Sequence, residues 1–163
     1  MGALRVIIIL LLVLAQSFGI PEFMLDGPYW QRMLLYSFFH ANWWHLAVNC
    51  IAAWSIFVPS RKCSTGMLVA AFAIAVLVYP LSFRPVIGFS NILYAVLGLR
   101  TPSLSSSWWK QWSVLLFIAV TVAMVFIPQF SATTHIASFA AGVFCASISR
   151  SFNELTKDAR RYL

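Results

Sequence analysis

Apolar runs recur six times along this chain, each broken by a short polar gap, and that pattern leaves no room for a water-soluble surface. The runs cover about residues 4–20, 40–58, 67–83, 90–100, 112–127 and 135–150, and a charged tail follows over 151–163. A helix needs about 20 apolar residues, with a range near 17–25, to span the hydrocarbon core of a bilayer. Five of the runs approach that length. Charged residues make up only 9% of the chain, against about 25% in a soluble domain. Lipid must therefore cover much of the surface. The reading is an all-α polytopic membrane protein, folded as one domain over residues 1–163.

The net charge of +7 could suggest a nucleic-acid partner. The placement of the charges excludes it, because they fall in the gaps between apolar runs and in the tail. Basic residues there set topology, since cytoplasmic loops carry the excess of Lys and Arg. With the N-terminus inside, the inner side receives Arg5, Arg61, Lys62, Arg100, Lys110, Arg150, Lys157, Arg160 and Arg161. The outer side receives only Arg32 and Arg84. Nine of the 11 basic residues thus fall on one side, and both termini are expected in the cytoplasm. The run over 4–20 has a second reading as a signal peptide; its removal would leave the orientation of the rest unchanged. Cys50, Cys63 and Cys145 match no metal spacing.

The fourth run is too short to span. The ten steps from Ser90 to Arg100 cover roughly 15 Å, half of a core about 30 Å thick. With Arg100 at the cytoplasmic boundary, Ser90 lies near mid-membrane. The residues before it must descend to that depth without a helix, and Gly88 supplies the backbone freedom. Such backbone survives only when buried in protein or lining a wet cavity. Ser90 then stands at a buried helix N-terminus, where unpaired N–H groups and the helix dipole favour negative charge. An oxyanion in acyl transfer carries that charge. A plain serine N-cap is the other meaning of the same placement.

All three histidines, His40, His45 and His135, fall within membrane segments or at their outer ends. Ionisable groups at such depth mark functional sites. His45 and Asn49 are four residues apart and share a helix face, where both can donate hydrogen bonds. His135 opens the last run and can meet Ser90 at similar depth. A hydroxyl, a base and paired donors are the parts that nucleophilic catalysis requires. The four acidic residues, Glu22, Asp26, Glu154 and Asp158, all lie outside the predicted membrane helices. A Ser-His dyad is therefore expected rather than a triad, with no metal and no cofactor.

These residues resemble the rhomboid family of intramembrane serine proteases. HANWWHLAVN over 40–49 is similar to the family's HxxxxHLxxN. GFSNILYAVLG over 88–98 is similar to GxSGxxYAxxG, and HIASFAAG over 135–142 to HxxGxxxG. The order and internal spacing are kept, and the compact size resembles the small bacterial members, the rhombosortase branch included. The resemblance implies a six-transmembrane-helix bundle with a short central fourth helix and a water-filled cavity open to the outer face. It implies Ser90 as nucleophile, His135 as base, and His45, Asn49 and the Ser90 N–H as oxyanion donors. Tyr94 would pack on the His135 ring, His40 would support the first outer loop, and Gly88 would shape the loop near the oxyanion. Gly98 and Gly142 would let two helices approach closely. Residues 21–39 would lie along the outer leaflet, with Tyr29 and Trp30 at the interface, and the fifth run would flank a lateral entrance.

Three positions depart from the family pattern. Asn91 and Ser138 stand where it has glycine, and Trp30 and Arg32 are separated by Gln31 where it has adjacent Trp and Arg. The expected activity is a serine endopeptidase that cuts the transmembrane segments of other membrane proteins. The expected setting is the lipid bilayer of a bacterial inner membrane. The alternative is an inactive rhomboid-like protein that binds membrane clients.

Overall fold

The computed structural model describes residues 2–57, 64–82, 86–101, 119, 121–122 and 131–159. All regular structure among these residues is helical. The order is α1 (Gly2–Ser17), α2 (Phe23–Asp26), α3 (Tyr29–Leu35), a 3-10 turn (Tyr36–Phe38), α4 (Trp43–Phe57), α5 (Thr65–Val78), a second 3-10 turn (Tyr79–Leu81), α6 (Ser90–Arg100) and α7 (Ala132–Ala159). Of the fifth apolar run only residues 119, 121 and 122 are described, so the expected helix over 112–127 lies almost wholly outside them. Arg61, Lys62, Cys63, Arg84, Lys110, Arg160 and Arg161 also lie outside.

Local chemistry sets the helix ends more tightly than apolar periodicity does. The first run is expected to reach residue 20, but α1 stops at Ser17. Gly19, with φ +74°, turns the chain there and donates its N–H to Gln16 O at 3.0 Å, a glycine-closed helix end. The second helix begins at Trp43 instead of residue 40 because Asn42 caps it. The Asn42 Oδ1 accepts the His45 N–H at 2.8 Å, satisfying a donor that the first turn leaves open. Ser64 does the same for α5, accepting the Met67 N–H at 3.1 Å. Pro80 ends α5 in a 3-10 turn, since proline has no N–H to continue the ladder. The last helix starts a turn before His135 and runs on to Ala159. Its extension past residue 150 carries an i,i+4 pair, Arg150 to Glu154 at 3.5 Å.

Helix α6 is the centre of the bundle. Ser90, Asn91, Ile92, Leu93, Tyr94, Ala95, Val96 and Gly98 are all buried. Its 11 residues cover about 16 Å, far less than a span requires. It packs along α7, which turns Thr134, His135, Ser138 and Gly142 inward. These positions recur at helical spacing, so one stripe of α7 faces α6. The opposite stripe, with Ile136, Phe144 and Ile148, is exposed and apolar. Val6, Leu10 and Leu14 on α1 and Val69 and Leu77 on α5 are exposed as well. Faces this apolar are unsuited to water and suited to lipid.

Two glycines set the spacing of α6 and α7. A Cβ on Gly98 would strike the Phe139 carbonyl oxygen and lie 3.0 Å from Val143 N. A Cβ on Gly142 would lie 2.5 Å from Ala95 O. Such contact is reached only with small residues at the crossing. The C-terminal ends of α4 and α6 are joined as well, because the Arg100 guanidinium donates to the Ile56 carbonyl oxygen. A cation suits the partial negative charge of a helix C-terminus. Helices α4, α6 and α7 therefore run in one direction, and their N-terminal ends gather at one level of the bundle. Ala132–Glu154 is long and apolar enough to cross a membrane, and Val6–Ser17 and Thr65–Leu81 are shorter apolar helices.

Candidate active site

Ser90 is the first residue of α6, and His135 lies in the first turn of α7. The Ser90 Oγ and the His135 Nε2 are 2.6 Å apart. Both side chains are buried. The other ring nitrogen, Nδ1, is 2.7 Å from the Ser131 carbonyl oxygen. A carbonyl only accepts, so Nδ1 carries the ring proton and Nε2 is left as an acceptor. Nε2 thus receives the Ser90 O–H. The Tyr94 ring lies 4.7 Å from the imidazole at an interplanar angle of 52°. The Tyr94 hydroxyl in turn bonds Thr121 Oγ1, which ties the fifth run to the site.

The approach to Ser90 is held from two sides. Gly88 has φ +127°, a conformation that side chains with a Cβ disfavour. Its Cα faces the His45 ring so closely that an added Cβ would stand 2.7 Å from Cε1 and 2.9 Å from Nε2. The Asn49 Nδ2 would be 3.8 Å away. His45 and Asn49, one turn apart on α4, therefore lie against the loop two residues before Ser90. Asn49 Nδ2 also donates to His45 O at 2.9 Å, which fixes the carboxamide along the helix. The Phe89 N–H donates to His40 Nε2 at 3.4 Å. His40 thus braces the loop into Ser90 and also packs its ring 5.2 Å from that of His45.

Ser90, His135, His45, Asn49, His40, Gly88 and Tyr94 are consequently gathered at one place, while Gly98 and Gly142 sit further along α6 and α7. The Ser90 N–H belongs to the first helical turn, where the helix offers no acceptor. A carbonyl carbon beside Ser90 Oγ would have a base on one side and the donors of α4 and α6 near its oxygen. That arrangement is chemically fit for acyl transfer.

Three further residues emerge only from the structure. Ser131 contributes a backbone oxygen, and its position four residues before His135 is the one signal the sequence holds. Asn42 caps α4 and so sets the rotation of His45. Tyr36 is buried, and its carbonyl oxygen accepts the Gly88 N–H at 2.9 Å. Nothing local to Tyr36 marks it, because its partners are about fifty residues away.

The family model described as Rhomboid domain matches residues 27–152, well over half of the chain. No curated protein and no solved structure gives a significant match. The matched span begins before Trp30 and ends after Gly142, and so encloses every residue of the site. The all-helical architecture of the described residues agrees with the match, and the chain belongs to the rhomboid family.

Proposed function

We propose that this protein is an intramembrane serine endopeptidase that uses a Ser90–His135 dyad. The observation that carries the reading is the 2.6 Å approach of Ser90 Oγ to a His135 nitrogen whose ring partner is engaged at 2.7 Å by Ser131 O. The second bond does what a carboxylate does in a triad: it fixes the tautomer and orients the ring.

Ser90 Oγ attacks the scissile carbonyl carbon while its proton passes to His135 Nε2. The carbonyl oxygen becomes an oxyanion held by the Ser90 N–H, His45 and Asn49. Collapse of this intermediate breaks the C–N bond, and the Nε2 proton leaves with the amine. Water then attacks the Ser90 ester, giving its proton to Nε2, and the acid is released as Ser90 regains its hydrogen. Asp or Glu is not required at any step. The substrate is a single-span membrane protein, opened near the outer end of its helix, where an unwound stretch exposes a carbonyl. The exposed aromatic residues Tyr29, Trp30, Trp43 and Trp44 suit an outer membrane interface. On this reading the membrane is a bacterial inner membrane and both termini are cytoplasmic, supported by the nine of 11 basic residues that fall on one side of the predicted spans.

The test is labelling with a fluorophosphonate in detergent and in lipid, read beside cleavage of a single-span reporter. Label on Ser90, absent from Ser90→Ala and from Ser106, is the expected result. A folded protein that takes no label at Ser90 and cuts no reporter would instead be a client-binding relative.

A further inference from the structure

Asn91 follows the nucleophile at a position where the family pattern has glycine, yet it is completely buried at 0% exposure. Its Nδ2 donates to the Tyr36 hydroxyl at 3.0 Å. The Tyr36 hydroxyl donates its single proton to Ala75 O at 2.9 Å. With that proton used, the phenol oxygen can only accept from Asn91, so the direction of the chain is fixed. The Asn91 Oδ1 has no hydrogen-bond partner among the described residues. A buried carboxamide with one half unsatisfied is unfavourable. Its bond to Tyr36 is the contact that offsets this.

Tyr36 grips the chain on both sides of Ser90. Its carbonyl oxygen takes the Gly88 N–H at 2.9 Å, two residues before the nucleophile. Its hydroxyl takes the Asn91 side chain, one residue after. Tyr36 is itself held in place by α5 and the turn that continues it. Ala75 accepts its proton, and Tyr79, one turn further, packs its ring 4.8 Å away at 39°. Rotation of α6 by one residue is about 100°, so a bond at Asn91 governs where the Ser90 Oγ points.

We propose that Tyr36 and Asn91 are a positioning pair that sets the depth and rotation of the Ser90 helix, replacing the glycine packing of the family pattern with a polar tie to α5. The proposal rests on the dyad reading above. Among the described residues neither side chain hydrogen-bonds Ser90 Oγ or the His135 ring.

The experiment follows fluorophosphonate labelling of the full chain at rising probe concentration. In the labelled reaction Ser90 Oγ displaces fluoride from phosphorus and its proton passes to His135. Parent, Tyr36→Phe, Asn91→Ala and the double variant are compared. Each single change should lower the maximal labelling rate about tenfold, as expected for a small misplacement of a reacting group. The half-saturating probe concentration and the final labelled fraction should stay at the parent values. The double variant should be no slower than the slower single one, because both changes remove the same bond. Should Asn91→Ala fail to fold, Tyr36→Phe, which removes one oxygen, decides alone. A Tyr36→Phe variant labelled at the parent rate overturns the pair and leaves the dyad standing. So does a loss seen only as a smaller labelled fraction, or a double variant whose loss is the product of the two. A parent that takes no label at Ser90 overturns both the dyad and the pair.

Discussion

The His135 Nδ1 lies 2.7 Å from the Ser131 carbonyl oxygen, one helical turn earlier in α7. A backbone atom thus orients the imidazole that faces Ser90. The expected consequence is a ring protonated at Nδ1 and bare at Nε2, visible by nitrogen NMR of histidine-labelled protein. Ser131→Ala keeps the carbonyl, so its labelling rate should stay within about twofold of the parent. A ring protonated at Nε2, or a large loss in Ser131→Ala, contradicts this assignment.

Gly88 makes a second prediction. Its φ of +127° strains any other residue, and a Cβ there would come within 2.7 Å of the His45 ring. Gly88→Ala must either shift the loop that carries Ser90 or push the His45 ring aside. Both moves separate Ser90 from His45 and Asn49 on α4. Reporter cleavage should fall about a hundredfold, the scale of a misplacement near 1 Å. Cleavage at the parent rate would mean that the loop relaxes freely and that its contact with His45 is incidental.

Tyr94 separates packing from hydrogen bonding. Its ring lies 4.7 Å from the His135 ring, and its hydroxyl bonds Thr121. If the ring contact holds the imidazole, Tyr94→Phe should keep most of the labelling rate and Tyr94→Ala should lose roughly tenfold or more. Equal losses in the two variants would shift the weight to the Thr121 bond and away from the ring.

The fold was legible in the sequence because membrane helices announce themselves by composition and length. The short fourth run was legible for the same reason: Ser90 to Arg100 is too few residues to span, and α6 occupies those residues. The meeting of Ser90 and His135 was readable in part, because an imidazole is costly within a membrane segment and both residues open apolar runs. The helix ends were less legible. They depend on single polar atoms, Asn42 Oδ1 for α4 and the Gly19 turn for α1, that hydropathy does not weigh. The Ser131 carbonyl left little trace, since every residue has one and only its distance from His135 selects it. The Tyr36–Asn91 bond left none, because it joins positions 55 residues apart. At Asn91 and Ser138, sequence comparison registers lost glycines and added bulk. In the structure both are buried, and a backbone-to-backbone approach of the two helices lies lower, at Gly98 and Gly142.

That lower crossing gives the last prediction. A Cβ at Gly142 would stand 2.5 Å from Ala95 O and 2.9 Å from Leu99 N. Both are backbone atoms of a helix, which cannot rotate aside as a side chain can. Gly142→Ala must therefore drive α6 and α7 apart. The stability loss should be about 1–3 kcal/mol, the usual range for overpacking. Ser90 and His135 sit at the upper end of the same pair of helices, bonded at 2.6 Å. A wedge at the lower crossing should lengthen that bond, so the labelling rate per folded molecule should fall as well. Ala140 is the control, since it lies on the exposed side of α7; Ala140→Leu adds more volume and should change neither quantity. Equilibrium unfolding in mixed micelles and fluorophosphonate labelling read the two effects separately. Were Gly142→Ala as stable and as reactive as Ala140→Leu, the crossing would not be what holds Ser90 against His135.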